Sequence, residues 1–332
     1  MKKIAILGAT GYIGKSLVNE FLQANSGEGY QLNQIYLYVR SKEKLEKFIE
    51  SLKLKSSGGY NISDIENFGE ENYDVVINCV GISSPATLKE KPFEIIKLTE
   101  EFDNKILNFL DNHKETIYIN LSSGAAYGQN ATRPVSEETP SLIDINNIKN
   151  TNLYSIAKIY TEAKHRALNH LRIIDLRVFA FFSQFADLDG GFLMSEIAKC
   201  LVEDKVFKTT STDIVRDFIG PEDLYNIIQC LIDGENSEGV EKVHENIKND
   251  VFDVVSKALV TKLELIDFLK TKYNLKVEIA EAAKSSLPQN QSATGDKNSY
   301  YSQSEKLKRI GFVPKYSSME CIDRELKRLL TR

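Results

Sequence analysis

The sequence has few cysteines and few histidines, and neither type is spaced as a metal-binding or redox motif requires. Its four cysteines form no Cys-x-x-Cys pair, which favours reduced, mostly buried thiols in a cytoplasmic protein over a disulfide framework. Its four histidines show no metal-ligand spacing, and we therefore predict no metal site. These residues are Cys79, Cys200, Cys230, Cys321, His113, His165, His170 and His244.

The sequence also lacks long apolar runs and an excess of positive charge. No stretch approaches the roughly 20 apolar residues that a membrane-spanning helix needs. The short run after Met1, Lys2 and Lys3 ends at Leu7, too early for the apolar region of a signal peptide. With 42 Lys and Arg against 47 Asp and Glu, the net charge is −5. This charge argues against nonspecific nucleic-acid binding, so local groups must hold any anionic ligand.

What the sequence does contain is a glycine-rich turn between an apolar strand pattern, residues 4–7, and a helical pattern. Gly8 permits a tight turn, Gly11 lets the backbone approach a pyrophosphate, and Gly14 lets the helix pack against the strand. The helix N-terminus then points unpaired N–H groups at that anion. The alternative is a turn without a ligand. The residues assigned to this dinucleotide-binding turn are Gly8, Thr10, Gly11, Tyr12, Ile13 and Gly14.

The second predicted strand, residues 34–39, ends in a basic turn. Dinucleotide-binding folds often place an acidic residue here to hold the adenosine ribose 2′-hydroxyl. This chain has Arg40 and Lys42 instead, and cations suit a 2′-phosphate through charge-assisted hydrogen bonds. The turn therefore predicts NADP(H) as the preferred cofactor, with NAD(H) as the second choice. The alternative is a solvated turn that is basic by chance.

At 332 residues, with 42% hydrophobic and 27% charged residues, the chain is long enough for one large domain plus a smaller one. Strand patterns alternate with helical patterns, which predicts an α/β fold with a doubly wound parallel sheet (Rossmann). Ligands of such sheets bind outside the carboxyl ends of the strands.

His165 and His170 lie five residues apart on one predicted helix, and we therefore predict that this helix lies on the surface. Helices are predicted over 41–54, 92–112, 151–169, 221–233 and 261–272.

A tyrosine and a lysine on the helix predicted over 151–169 could form an acid/base pair. Tyr154 and Lys158 are four residues apart, so they share one helix face. A nearby ammonium group favours the ionised form of a phenol, which makes the phenol a usable general acid at neutral pH. A serine at the end of the preceding strand, Ser122 or Ser123, could hold a substrate oxygen beside it. Alone, Tyr-x-x-x-Lys is common on helices and carries no function.

Together these motifs resemble the extended short-chain dehydrogenases/reductases, in the branch of nucleotide-sugar epimerases, dehydratases and reductases. The match covers nearly the whole chain. It rests on the glycine turn, residues 64–65, 122–128, Tyr154 with Lys158, 216–219, and the C-terminal pieces 295–296, 300–302 and 308–312.

The resemblance implies roles for single residues. Ser123 would hold the substrate oxygen, and Tyr154 would be the acid/base. Ser83 and Arg216 would contact the substrate, with Arg216 at its diphosphate. The alternative is that Arg216 pairs locally with Asp213 or Asp217. The implied cofactor contacts are Asp64 and Ile65 on the adenine side, Cys79, Val80 and Gly81 along the cofactor, and Tyr154 with Lys158 at the nicotinamide end.

The chain departs from the family pattern at three places. Gly124 and Ala125 stand where the family's dehydratases carry an Asp-Glu pair, which argues against a 4,6-dehydratase. Ala180 stands where sugar 4-epimerases often place an Asn, which suggests either a less hydroxylated sugar, such as a deoxy-keto sugar, or a sugar that is held differently. An Arg often found ahead of residues 295–296 is missing, and Ser292 and Ala293 occupy those places.

These observations lead to one reading and two alternatives. We predict an NADP(H)-dependent reductase of a nucleotide-linked keto sugar. The alternatives are a nucleotide-sugar epimerase with tightly held NAD(P), and a non-catalytic dinucleotide-binding sensor or scaffold. Residues 1–179 with parts of 206–260 would form the Rossmann domain, and 180–205 with 261–332 a smaller C-terminal α/β substrate-binding lobe. The resemblance also implies a homodimer formed through the helices of 92–112 and 151–169, with no nucleic-acid or membrane partner.

Overall fold

The computed structural model describes residues 1–26, 33–54, 59–82, 85–233, 249–281 and 299–332. Some residues of the sequence analysis lie outside these ranges, namely Ser83, His244, Ser292, Ala293, Gly295 and Asp296. The described strands are β1 Lys3–Leu7, β2 Gln34–Val39, β3 Tyr60–Asp64, β4 Val75–Asn78, β5 Ile117–Ser123, β6 Ile173–Val178, β7 Ala180–Phe181, β8 Phe207–Thr210, β9 Val215–Arg216, β10 Phe218–Ile219, β11 Asn249–Val254, β12 Val260–Thr261, β13 Val277–Ala280 and β14 Ser299–Tyr300.

Seven of these strands form one parallel sheet in the order β3-β2-β1-β4-β5-β6-β11. This order reverses at β1, so the carboxyl ends of β1 and β4 border a crevice where doubly wound folds bind their ligands. The register pairs Leu7 with Asn78 and Ser123 with Val178. The predicted Rossmann fold is therefore confirmed.

Apolar side chains cover both faces of the sheet. Along β1, Ile4 and Ile6 belong to one buried cluster and Ala5 and Leu7 to another. This two-sided burial explains why the strand is a continuous apolar run in the sequence instead of alternating with polar residues.

The described helices are α1 Tyr12–Asn25, α2 Lys42–Ser51, α3 Pro85–Glu90, α4 Glu94–Leu110, α5 Leu153–Ala167, α6 Leu193–Val202, α7 Pro221–Asp233, α8 Lys262–Tyr273 and α9 Ser318–Leu330.

The predicted helices agree with these bounds to within a turn. α7 matches the prediction at both ends, and α8 begins after a capping box in which Thr261 accepts from the Glu264 N–H and Glu264 accepts from the Thr261 N–H. α5 begins two residues later than predicted because residues 150–152 form a 3₁₀ turn. Within the described ranges, none of the helices is long and apolar enough to cross a membrane.

The other seven described strands form three small sheets. β7 pairs with β10, β8 pairs with β13, and β9 lies between β12 and β14. Their buried cluster, which includes Phe182, Met194 and Phe207, is distinct from the clusters on the large sheet. Because β11, residues 249–254, joins the large sheet, the chain crosses between the two regions more than once.

The prediction that His165 lies on a surface helix is wrong. The side chain is fully buried, and α5 ends at Ala167, so His170 lies beyond the helix. The cause is a pair of acidic residues inside the fold. Nδ1 of His165 lies 3.0 Å from both carboxylate oxygens of Asp175 on β6, and Nε2 lies 2.7 Å from Oδ1 of Asp103 on α4.

This arrangement keeps the imidazole protonated. A carboxylate only accepts hydrogen bonds, so both ring nitrogens of His165 must carry a hydrogen. Burial disfavours the charge, but the carboxylates of Asp175 and Asp103 outweigh it and raise the pKa of His165 to about 9. Asp175 also accepts from Asn120 at 2.7 Å and from Arg166 at 2.9 Å, which compensates the buried charges further.

We expect His165→Gln to destabilise the protein most at low and neutral pH. Below the unfolded-state pKa of about 6.5 the imidazolium contributes fully, and its contribution falls as pH rises through the folded-state pKa of about 9. Without the cation, each buried carboxylate loses one of its two cationic partners, since Arg166 remains on Asp175 and Lys164 on Asp103, so the cost should stay below the roughly 3–5 kcal/mol of an uncompensated buried charge. Urea unfolding across this pH range should show the difference from wild type shrinking as pH rises. The exposed His170→Gln is the control, and a difference that grows with pH would contradict the assignment.

Candidate active site

The glycine turn joins β1 to α1 with little space around it. Gly8 has a φ of +78°, and a Cβ there would lie 2.9 Å from the carbonyl carbon of Cys79. A Cβ at Gly14 would lie 2.2 Å from the carbonyl oxygen of Gly8. The N–H of Gly11 donates to that same oxygen at 2.9 Å. The close packing therefore leaves no room for side chains at Gly8 and Gly14.

The N-terminus of α1 has the features of an anion site. Gly11 occupies the N-cap and supplies no capping side chain, and the first turn contains no acidic residue. The first N–H groups of α1 are therefore left for a ligand, with Thr10 and Ile13 half-buried beside them. These residues fit the pyrophosphate of a dinucleotide.

Tyr12 connects this turn to the segment after β7. Its hydroxyl accepts from the N–H of Ser183 at 2.9 Å, and its ring meets Phe181 edge-on at 5.3 Å. Burial raises the pKa of Tyr12, so the hydroxyl stays neutral. Ser16 and Ser183 share a further hydrogen bond at 2.8 Å. The side chain of Tyr12 thus contacts protein, and its backbone N–H belongs to the anion site.

The turn after β2 presents cations. Arg40 and Lys42 are both exposed, and neither forms an ion pair with a carboxylate among the described residues. Ser41 between them caps α2 by accepting from the N–H of Lys44 at 3.4 Å. Asp64 ends the neighbouring strand β3, and Ile65 after it is buried.

The residues after β4 form the other wall of the turn. The N–H of Val80 donates to Oδ1 of Asn78 at 3.0 Å, which fixes the chain as it leaves the strand. Burial raises the pKa of the Cys79 thiol to about 12, so it stays protonated. Apart from its chain neighbours, no atom of the described residues lies within 4 Å of a Cβ placed at Gly81. None of the four cysteines forms a disulfide with another described residue, and Cys230 and Cys321 are buried.

The predicted catalytic residues lie at the carboxyl end of β5 and on α5. Ser123 ends β5 and is buried. Lys158 is buried, and its ammonium donates to the carbonyl of Leu121 on β5 at 2.9 Å. The same ammonium lies 5.9 Å from the ring centroid of Tyr154, one helical turn earlier. Tyr154 is half-buried and packs against the buried cluster of Ile95, Leu153 and Ala157.

Tyr300 is a member of this cluster that the sequence analysis did not assign to the site. Its hydroxyl lies 3.1 Å from Oγ of Ser123, and its ring is fully buried. Burial raises the pKa of Tyr300. Tyr154 raises this pKa further and the guanidinium of Arg216 lowers it, so the three side chains interact electrostatically. The only sequence signal was its place in the C-terminal signature, 177 residues after Ser123.

Arg216 makes no ion pair with a carboxylate in the described part of the chain. Its guanidinium donates to its neighbour's carbonyl, Val215 O, at 2.8 Å and lies 5.9 Å from the ring centroid of Tyr300. Asp213 instead accepts from the N–H of Leu263, and Asp217 from the N–H of Ser256. Burial lowers the pKa of Arg216 to about 10. The local pairing considered for Arg216 is therefore absent, and a half-buried cation is left for an anion.

A second buried ion network supports this edge of the sheet. Arg177 on β6 makes paired hydrogen bonds to Glu162 on α5, the shortest at 2.6 Å. Glu162 also accepts from the hydroxyl of Ser122 at 2.5 Å. Asp253 on β11 accepts from Tyr127 at 2.7 Å and from Ser302 at 2.5 Å. The network therefore holds β5, α5 and the segment after β14 together around Ser123.

The positions at which this chain departs from the family pattern have structural consequences. A Cβ at Gly124 would lie 2.4 Å from the ring of Phe179, so a larger residue cannot replace this glycine without moving that ring. Ala125 is fully buried, and its N–H donates to Oγ of Ser123 at 3.2 Å. Ala180 begins β7, which pairs with β10. In the described ranges no group of three or more His, Cys, Asp or Glu residues could hold a metal ion.

The strand order and the glycine turn define a dinucleotide-binding α/β protein with candidate reactive groups at the end of β5 and on α5. The chain belongs to the NAD-dependent epimerase/dehydratase family, whose sequence profile matches residues 4–246. This confirms the resemblance to nucleotide-sugar enzymes of the short-chain dehydrogenase/reductase type and places the chain in a family of NAD-dependent enzymes.

Individual relatives are distant. UDP-glucose 4-epimerase of Dictyostelium discoideum is 26% identical over 167 residues, and this match spans 48% of the chain and 45% of that protein. UDP-glucuronic acid 4-epimerase of Bacillus cereus, solved with UDP-4-deoxy-4-fluoro-glucuronic acid and NAD, superposes with a TM-score of 0.77 at 18% identity over 99% of both chains. dTDP-glucose 4,6-dehydratase of Bacillus anthracis, solved with NAD, superposes with a TM-score of 0.72 at 16% identity, over 98% of this chain and 96% of the dehydratase chain. At these identities the structures establish the shared fold.

Proposed function

We propose that the protein is an NADP(H)-dependent reductase that converts the carbonyl of a nucleotide-linked keto sugar into a hydroxyl. The observation that supports this most is the cluster of Ser123, at the end of β5, with Tyr154 and Lys158 on α5, where the Lys158 ammonium donates to the carbonyl of Leu121 on β5. A nicotinamide cofactor held at the glycine turn would supply the hydride for the carbonyl carbon. The protein supplies the proton, the alignment of the carbonyl and the exclusion of water.

Each side chain of the cluster has a distinct part in the proposal. The Tyr154 hydroxyl gives its proton to the carbonyl oxygen as the C=O double bond becomes a C–O single bond. The Lys158 ammonium, fixed by the Leu121 carbonyl, stabilises the phenolate that is left until solvent reprotonates it. Ser123 donates a hydrogen bond to the same carbonyl oxygen and so holds it beside Tyr154.

The substrate class rests on Arg216 and on two small residues. A half-buried guanidinium without a carboxylate partner suits a diphosphate, which needs a cation in a protein of net charge −5. Gly124, packed against Phe179, leaves no place for the dehydratase acid, and Ala180 offers no amide to a hydroxyl-rich sugar. We therefore propose a deoxy-keto sugar. Residues 180–205 and 261–332 would form its lobe, and 1–179 with parts of 206–260 the cofactor domain.

A nucleotide-sugar epimerase is the second candidate, and the similarity to two 4-epimerases favours it at least as much. An epimerase would use the same Tyr154 to remove a proton from a sugar hydroxyl and then return one, with no net use of cofactor. A non-catalytic sensor has weaker support, since it would not need the buried Lys158 beside Tyr154.

We expect Tyr154→Phe to lose about 10²–10⁴-fold in turnover, because it removes a general acid while keeping the ring. Its cofactor affinity should stay near that of wild type. Ser123→Ala should lose less turnover, and Lys158→Met should lose both turnover and cofactor affinity. Loss of NADPH absorbance with dTDP-4-keto-6-deoxyglucose measures the reductase, and interconversion of UDP-glucose and UDP-galactose without net absorbance change measures the epimerase. Full activity of Tyr154→Phe in either assay would refute the mechanism.

Arg216→Ala serves as the contrast variant in the same assays. It should raise KM for the nucleotide-linked sugar and leave the reduction of any free ketose unchanged. If wild type reduces free ketoses as well as nucleotide-linked ones, the nucleotide part of the proposal is wrong and the reductase part survives.

Cofactor choice depends on Arg40 and Lys42. The family and the solved neighbours support NAD(H), and the two exposed cations after β2 are the reason to propose a preference for NADP(H). A 2′-phosphate would gain charge-assisted hydrogen bonds from these side chains, whereas a bare 2′-hydroxyl would not.

We expect wild type to bind NADPH more tightly than NADH, and Arg40→Ala to lose on the order of 1.5–3 kcal/mol of NADPH binding. The affinity for NADH should stay unchanged, because that cofactor has no 2′-phosphate. Fluorescence titration with both cofactors measures the two effects, and Lys53→Ala, a basic residue after α2, is the matched control. Equal or tighter binding of NADH by wild type would overturn the preference.

We also propose a homodimer that pairs α4 and α5 with their copies. The two helices pack side by side, and the outer face of α5 presents Tyr160, Ala163 and Ala167 at helical spacing, with Tyr160 47% exposed. Light scattering should give a dimer mass for wild type and a monomer mass for Tyr160→Asp, because a charge on an apolar pairing surface is costly to bury. A monomeric wild type at working concentration would refute the proposal.

A further inference from the structure

Ser123 shares its hydroxyl between two protein groups at the catalytic edge. A serine hydroxyl has one proton to donate and two lone pairs that accept. The N–H of Ala125 donates to Oγ at 3.2 Å and occupies one lone pair. The hydroxyl of Tyr300 lies 3.1 Å from the same oxygen, with either group able to be the donor. The direction of this second hydrogen bond decides what Ser123 can offer to a substrate.

Two physical arguments make Tyr300 the donor. A phenol is a stronger acid than an aliphatic alcohol, so its O–H is the better donor of the two. The guanidinium of Arg216, 5.9 Å from the ring centroid of Tyr300, favours negative charge on the phenol oxygen and strengthens that donor. With Tyr300 and Ala125 both donating, the two lone pairs of Ser123 are occupied, and among the described residues only its proton is left for a ligand.

We propose that Tyr300 is a positioning residue that makes Ser123 an obligate hydrogen-bond donor to the carbonyl oxygen of the substrate. The inference rests on the proposed function, since it assigns the freed proton of Ser123 to that oxygen. Hydrogen bonds in such a chain polarise one another, so the bond from Tyr300 also strengthens the one that Ser123 donates.

The surroundings hold Tyr300 in place for this role. Tyr300 pairs with Arg216 in the β14–β9 ladder, and its ring lies 5.1 Å from that of Phe179. The segment that follows is tied to the loop after β5, since the N–H of Gln303 donates to the carbonyl of Val135 at 2.8 Å. A hydroxyl on so fixed a ring has little freedom to turn away from Ser123.

Tyr300 is not a proton source in this scheme. Burial raises the pKa of Tyr300, and the charge of Arg216 reverses only part of that shift. Its hydroxyl therefore stays protonated across neutral pH. Removing it should scale kcat by the same factor at every pH and leave the shape of the pH profile unchanged.

The first experiment is a double-mutant cycle on stability, with Tyr300→Phe, Ser123→Ala and the double variant in urea unfolding. If the hydrogen bond exists, the losses of stability of the two single variants should sum to more than the loss of the double variant. The difference should correspond to about a two- to tenfold change in the unfolding equilibrium constant. Tyr73→Phe is the matched control, because Tyr73 also shares a hydroxyl–hydroxyl hydrogen bond, with Tyr38, far from the catalytic edge. The effects of Tyr73→Phe and Ser123→Ala on the free energy of unfolding should be additive.

The second experiment measures turnover with dTDP-4-keto-6-deoxyglucose, UDP-glucose and UDP-galactose. Tyr300→Phe should lower kcat about two- to tenfold at every pH with KM nearly unchanged, and it should lower kcat little further in a Ser123→Ala background. Tyr73→Phe should leave kcat unchanged. A loss confined to KM, or an altered pH profile, would overturn the positioning role.

The two experiments separate this inference from the proposed function. If wild type turns over none of the probes, the proposed function is wrong, and the stability cycle alone decides whether Tyr300 constrains Ser123. Additive effects in that cycle, or full kcat of Tyr300→Phe in an active enzyme, overturn the inference. Coupling in stability together with a kcat loss that requires Ser123 supports it.

Discussion

The contact between Gly14 and the carbonyl of Gly8 is the constraint on which the cofactor end of the molecule depends. A Cβ at Gly14 would lie 2.2 Å from that oxygen, so α1 reaches its place against β1 only because residue 14 has no side chain. The same close packing brings Gly8 against the peptide after Cys79, at the point where the strand order reverses. The helix N-terminus is thereby aimed into the crevice at the carboxyl ends of β1 and β4, with no side chain capping it.

The centre of the large sheet carries polar residues in an apolar setting, and each needs a partner because an unpaired buried polar group is costly. On β5, Asn120 donates to Asp175 and Ser122 donates to Glu162. Asp175 is compensated by His165 and Arg166, and Glu162 by Arg177. These two networks fasten α5 to the sheet along its length. Tyr154 and Lys158 sit on the same helix, so the networks that neutralise buried charge also fix the candidate acid/base pair.

The site joins parts of the chain that are far apart in sequence. Ser123 comes from the large sheet, whereas Tyr300 and Arg216 come from neighbouring strands of a small sheet. The hydroxyl of Tyr12, in the glycine turn, accepts a hydrogen bond from the N–H of Ser183 just after β7. Specific hydrogen bonds therefore link the glycine turn and the end of β5 to the small sheets. A ligand at Arg216 would lie next to Tyr300, which contacts Ser123.

The sequence alone determined the parts of this protein that depend on neighbouring residues. The strand of residues 4–7, the glycine turn, the capping box at Thr261 and the spacing of Tyr154 and Lys158 are local patterns, and local sterics and helix geometry suffice to interpret them. The family resemblance extended the predictions to Ser123 and Arg216, because their motifs are short and contiguous. The wrong prediction for His165 comes from the same dependence on neighbouring residues, since no residue near it in the sequence indicates that Asp103 and Asp175 will enclose its side chain.

Only the tertiary structure decided which side chains meet. The pairing of Tyr300 with Ser123, and the lack of a carboxylate partner for Arg216 among the described residues, depend on how small strands far apart in the chain align. Residue type and spacing do not encode that alignment.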